Sequence, residues 1–177
     1  MGSIPSTGAP ASCTRCVESG TVPASKRTFF MNGLEGALTI QDIQQALADA
    51  GVEIYRARDH ELQIAERVRL HIMDSGVRVV VSDGLAVLFT ARTQRSDAPS
   101  AQPEELFRRV REAVGQQAES RGYRESSAEV VEVRDPVDDA RVLDVWHEVT
   151  YRKALQELED TVAEVQWALD LEKYVRP

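Results

Sequence analysis

The sequence has little cysteine, almost no lysine and no long apolar run. Cys13 and Cys16 are its only cysteines, in the stretch Cys-Thr-Arg-Cys. No second Cys-x-x-Cys or Cys-x-x-His completes a zinc ligand set within the chain, which leaves zinc held between subunits as the one metal arrangement this motif permits. A thioredoxin-like pair would follow a strand and open a helix, whereas this one lies among Gly8, Pro10, Ser12 and Gly20. No segment reaches the roughly 18 apolar residues of a membrane-spanning helix. The first 30 residues lack a basic stretch followed by an apolar one, so no signal peptide is expected and the protein is read as cytoplasmic. Also missing are the Gly-x-Gly-x-x-Gly and P-loop cradles and the Gly-x-Ser-x-Gly elbow. No cofactor and no resident metal is expected from these patterns.

What is present is an ordinary globular balance over 177 residues, 42% apolar and 28% charged. One domain of that length buries enough surface to need neither disulfide nor metal. The net charge of −8 is unevenly placed. Residues 1–124 carry 15 acidic and 15 basic side chains, and residues 125–177 carry 14 and 6, so the excess sits in the C-terminal third. That sign repels phosphate backbones and argues against nucleic acid; a basic segment of another protein suits it better. Of the basic residues 18 are Arg and 3 are Lys.

Residues 1–30, rich in Ser, Thr, Gly, Pro and Ala, read as a flexible tail, with Phe29 and Phe30 as its apolar pair and Met31 as an alternative start. Residues 31–177 read as one α+β domain. Thr39-Ile40-Gln41-Asp42 has the form of a capping box, followed by Ile43, Ala46, Leu47 and Ala50 at helical spacing. Residues 53–74 carry a broken helical stripe (Ile54, Ala57, Ile64, Val68, Ile72) and predict a second helix, with 52–59 open to a strand reading. Val77–Val81 and Leu85–Phe89 flank Ser82-Asp83-Gly84, a strong hairpin signal. Pro103 opens a helix to about Arg121 with Leu106, Phe107, Val110, Ala113, Val114 and Ala118 on its core face. A second hairpin joins Val130–Val133 to Val142–Tyr151 through Asp135–Asp139. A last helix is predicted over about 152–174, with a heptad seam at Leu155, Leu158, Val162, Val165 and Leu169 and a second stripe at Trp167, Leu171 and Tyr174. The expected fold is therefore an antiparallel sheet of about four strands packed with three to four helices, in the order α-α-ββ-α-ββ-α. That element order resembles the small acidic dimeric secretion chaperones, although no residue motif carries the resemblance.

Candidate chemistry is sparse. His60-Glu61-Leu62-Gln63-Ile64 begins like a His-Glu-x-x-His zinc motif and fails at Ile64. His71, Asp74 and His147 are a metal- or small-molecule-binding set if the fold brings them together. Ser82 reads as a turn residue, and Asp135–Asp139 lacks the ligand alternation of a calcium loop. Arg108, Arg109 and Arg111 are offset by Glu104, Glu105 and Glu112, with helical pairs expected at Glu104–Arg108 and Glu105–Arg109. The expectation is a non-catalytic, self-associating protein-binding module, adaptor or chaperone-like, with a dimer favoured. Trp146, Trp167, Leu171 and Tyr174 are its candidate partner-binding anchors, and the acidic third steers a basic segment of a partner. The alternatives are an α+β enzyme using His71, Asp74 and His147, and a subunit of a structural oligomer.

Overall fold

The computed structural model describes residues 38–176. Cys13, Cys16, Phe29, Phe30 and Met31 lie outside them, as does the expected tail. Helix α1 (Ile40–Asp49) opens at Thr39. The Asp42 N–H donates to Thr39 Oγ1 at 3.2 Å, and the Thr39 N–H donates to Asp42 Oδ2 at 3.0 Å. The capping box read from the sequence is formed, and it satisfies two backbone donors that the first turn would leave unpaired.

Next come strands β1 (Ile54–Arg58), β2 (Glu61–Val68), β3 (His71–Val80) and β4 (Ala86–Gln94). Helices α2 (Pro103–Val110) and α3 (Gln116–Ser120) follow, joined through a π turn at Arg111–Gly115. Strands β5 (Arg124–Arg134) and β6 (Val142–Ala154) lead to helix α4 (Leu158–Asp170). The six strands form one antiparallel sheet in the order β1-β2-β3-β4-β6-β5.

The class is α+β, but the expected four strands and their order are wrong. The error lies in residues 53–74, which are β1, β2 and the start of β3 instead of a second helix. Leu62 and Ile64 alternate into the core, and the register then shifts between Gln63 and Ala65, which scrambles the period-2 pattern. The turn joining β2 to β3 is Arg69-Leu70, with Arg69 at φ 56°. A two-residue hairpin turn needs positive φ and is usually marked by Gly, Asn or Asp. Arg69 adopts it without that mark.

The expected hairpin at Ser82-Asp83-Gly84 joins β3 to β4, and the helix begun by Pro103 runs through the π turn to Ser120. Leu106, Val110, Val114 and Ala118 are buried there, while Ala113 is exposed. Glu105 pairs with Arg109 as expected; Arg108 pairs with Glu112 rather than Glu104. The last helix is shorter than the predicted span. Arg152–Ala154 still belong to β6, and the helix stops at Asp170. Its buried residues are Thr161, Glu164, Val165 and Ala168, so of the heptad seam only Val165 is fully buried.

All the helices cover one face of the sheet: α4 lies on β3 and β4, α2 on β4 and β6, and α1 on β2 and α4. Phe89 sits at the centre of the layer between them. Its ring stacks on Tyr151 at 5.2 Å and meets Tyr123 and Trp167 edge-on at 5.1 and 5.8 Å. After α4 the chain turns back to the sheet. The Arg92 N–H donates to the Lys173 carbonyl at 2.8 Å, and the Val175 N–H donates to the Arg92 carbonyl at 2.9 Å. Lys173 Nζ donates to the carbonyls of Ala168, Leu169 and Leu171, closing the end of α4.

This segment takes an edge that β3 has vacated. The β3–β4 ladder stops at Val77↔Phe89, one residue after Gly76. Gly76 has φ +73°, and a Cβ there would lie 3.3 Å from the Thr90 carbonyl oxygen. Gly76→Ala is therefore expected to cost about 2–3 kcal/mol, the αL strain plus a close contact. Gly51→Ala, at φ +76° with open space around it, should cost only about 1 kcal/mol. Urea denaturation midpoints of the two variants check the difference.

Candidate interaction surface

The end of the β3–β4 ladder frees a two-stranded arm. Strands β2 and β3 remain paired through Ala65↔Asp74, Glu66↔Met73, Arg67↔Ile72 and Val68↔His71, six residues past the point where β3 leaves β4. A two-stranded ribbon alone in water is marginally stable. This one nevertheless carries apolar side chains on both sides and at its tip: Leu70 is 95% exposed, Ile72 54%, Met73 50% and Val68 45%. These residues belong to the stretch read from the sequence as a helix, which is why they were not among the anchors expected there.

A second apolar region lies at the same end of the sheet. β6 runs antiparallel to β4, so its first residues extend past the Gln94↔Trp146 pair, beyond the last residue of β4. Val130, Val142 and Leu143 are exposed on this β5–β6 end, and Val137 is exposed in its turn. In that turn Asp135 and Asp138 accept the N–H groups of Val137 and Ala140, so both carboxylates serve the turn itself.

Where the arm parts from β4, a cleft of about 540 Å³ opens between the arm and the C-terminal segment. Glu66, Asp74, Arg78, Arg92, Glu148 and Lys173 line it. Its cations are largely engaged: Arg78 donates to Thr90 Oγ1, Arg92 lies 4.2 Å over the Trp146 ring and 3.7 Å from Glu148, and Lys173 holds the end of α4. Burial raises the Glu148 carboxyl above its usual range, although Arg92 and Arg78 pull the other way. Burial lowers the Lys173 ammonium, against the pull of Glu66, Glu172 and Asp170.

The four expected anchors are scattered. Trp146 faces the side of the sheet away from the helices, half-buried under Arg92. Trp167 is half-buried and stacks on Tyr123 at 5.2 Å, with Arg121 over its ring. Leu171 and Tyr174 lie beyond the helix that was expected to carry them. The Tyr174 hydroxyl donates to Asp97, and burial together with that contact pushes its pKa up to about 12.

His71 is exposed near the arm's tip, opposite Val68, whereas His147 is 1% exposed in the sheet and meets Phe107 edge-on at 5.2 Å. Among the described residues no group of three His, Cys, Asp or Glu side chains is placed to hold a metal ion. Nor is any helix among them long and apolar enough to cross a membrane. No protein-family model matches the chain, and no curated protein or solved structure matches it either. The resemblance to secretion chaperones therefore finds no counterpart, and the element order on which it rested is the one corrected above.

His147 gives the core beneath α2 a pH dependence. Burial, aided by the Arg95 charge and opposed by Glu104, lowers its pKa, and among the described residues its Nδ1 has no hydrogen-bond partner. The unfolded chain thus binds the proton more readily than the fold does. Stability from this group is complete above the unfolded pKa of about 6.5 and is lost as the pH falls below it. Thermal unfolding followed between pH 7.5 and 5 should show a smaller loss in His147→Gln than in the wild type.

Proposed function

We propose that this chain is a non-catalytic protein-binding module that associates with a second copy of itself through the β2–β3 arm. The observation that carries the reading is the exposure of Val68, Leu70, Ile72 and Met73 on a ribbon to which, among the described residues, no third strand pairs beyond Ala65. Large apolar side chains gathered on a projecting element mark association surfaces in soluble domains. The core closes without them: Phe89, Tyr123, Tyr151 and Val165 are buried by the chain's own helices and sheet. Covering the arm takes apolar side chains out of water and gives the ribbon an additional layer.

The acidic third supplies the second half of the reading. With 14 acidic and 6 basic side chains over residues 125–177, it favours a basic segment of another protein as the assembled module's partner, chiefly by steering its approach.

Native mass spectrometry of the untagged chain reads subunit count and bound mass together. A dimer without added mass is the expected result. In Leu70→Asp/Ile72→Asp the dissociation constant should rise about 100-fold or more, since each apolar anchor contributes about 1.5–3 kcal/mol. Both side chains are exposed in the single chain, so circular dichroism of the variant should match the wild type. A wild-type chain that stays monomeric at tens of micromolar overturns the reading.

A further inference from the structure

The arm is charged in a way that selects its own kind. Its turn and outer half carry Arg67 and Arg69, and its base carries Glu66 and Asp74. The register places Arg67 with Ile72 and Ala65 with Asp74 on one side, and Glu66 with Met73 and Val68 with His71 on the other. Glu66 and Asp74 both line the chain's own cleft, where the Glu66 charge acts on Lys173, and Asp74 stays exposed at its edge. On the side bearing Ile72 and Asp74, Arg67 is paired within the chain with Glu53 at 2.5 Å, so the contrast is carried by Arg69 at the turn and Asp74 at the base, with Ile72 between.

Resting on the self-association reading, we infer that the arms of two copies lie antiparallel across a two-fold axis, the Arg69 tip of each against the Asp74 base of the other. A two-fold interface is self-complementary: if one residue meets a second, the second meets the first. A patch of one sign would repel its own image under that rotation, whereas a patch basic at one end and acidic at the other attracts it. The distance from Asp74 to the turn spans about five residues, roughly 16 Å at strand rise, so two fully overlapped arms bring tip to base at both ends at once. Ile72, in the middle of this stretch, then meets Ile72 of the second copy near the axis. Leu70 reaches the base of the facing arm. Asp74 retains an oxygen for the partner, because only Oδ1 accepts the Gly76 N–H.

The experiment exchanges the charges between copies. Arg69→Glu and Asp74→Arg should each weaken the homodimer about tenfold, two ion pairs being replaced by like-charge contacts. An equimolar mixture of the two variants should recover a heterodimer of wild-type affinity, because each end then pairs opposite charges again; a contact within one chain would gain nothing from mixing. A second readout avoids dependence on Asp74→Arg folding. In a Cys13→Ser/Cys16→Ser background, Ile72→Cys should form an intermolecular disulfide under mild oxidation, and Val137→Cys, on the other hairpin, should not. If the wild type dimerises and Leu70→Asp/Ile72→Asp does not, but mixing restores nothing and Ile72→Cys fails to cross-link, this arm pairing is overturned and self-association through the arm stands. A monomeric wild type overturns both.

Discussion

The break in the sheet at Gly76 and Val77 is the constraint on which the rest of the molecule turns. Had β3 stayed paired with β4 past Val77↔Phe89, the lower edge of β4 would be filled and the C-terminal segment would have no seat. Because β3 leaves, the backbone of Arg92 becomes available to the Lys173 carbonyl and the Val175 N–H. That pairing anchors the segment following α4, and Lys173 in turn closes the carbonyls at the helix end. The same departure sets β2 and β3 apart as a ribbon and opens the polar cleft between ribbon and segment. The arm, the cleft and the C-terminal strap all follow from one departure in a ladder.

The break is tolerable because the layer above it is tied together elsewhere. Phe89, the last β4 residue paired with β3, is also the centre of the aromatic cluster that joins β4, β6, α4 and Tyr123. Ring contacts of this kind add about 0.5–1.5 kcal/mol each beyond the area they bury. Beside the cluster, Glu164 is buried on α4 and accepts from Lys153 at 2.7 Å, with Arg121 also within ion-pair distance. A buried carboxylate left alone would be costly, so these cations hold α4 against β6 and the end of α3 by a requirement for pairing rather than by strength of attraction. Burial and the Glu164 charge drive the Tyr123 hydroxyl well above its ordinary range, which keeps it neutral beneath Trp167.

Legibility followed local chemistry. Thr39 and Asp42 announce a helix start because their side chains bond the backbone within three residues. Asp83-Gly84 announces a hairpin because glycine accepts the turn's backbone, and Pro103 announces a helix because its fixed φ suits the first turn. Arg69-Leu70 announces nothing: the turn is imposed by the pairing of β2 with β3, a tertiary fact. The residues around it are apolar on both sides, as befits a ribbon exposed on two faces, and that pattern imitates a helical stripe. The C-terminal error has a similar origin. Leu155 to Leu169 do repeat at heptad spacing, but the sheet claims Arg152–Ala154 and the strap claims Lys173–Val175. From sequence, an aromatic stripe without cover on its own helix predicts an interface. Trp167 instead found its cover in Tyr123 and Phe89.

The sheet's own edges explain why association would fall to the arm. β5 is an outer strand of 11 residues, long enough to template another chain. It carries Glu125, Glu129 and Glu132, and its register shifts between Glu125 and Ser127 and again between Val133 and Arg134. Charges and bulges on an edge obstruct strand addition. The opposite edge, β1, has only five residues and its own shift between Ile54 and Arg56. Glu125 and Glu132 are themselves paired with Arg111 and Arg134, so the guard on β5 is its charged side chains and shifted register rather than net repulsion. Both edges discourage sheet extension by backbone pairing, whereas the arm exposes Leu70, Ile72, Met73 and Val68. Strand addition is disfavoured at both edges, so the proposed association rests on side chains rather than on free backbone.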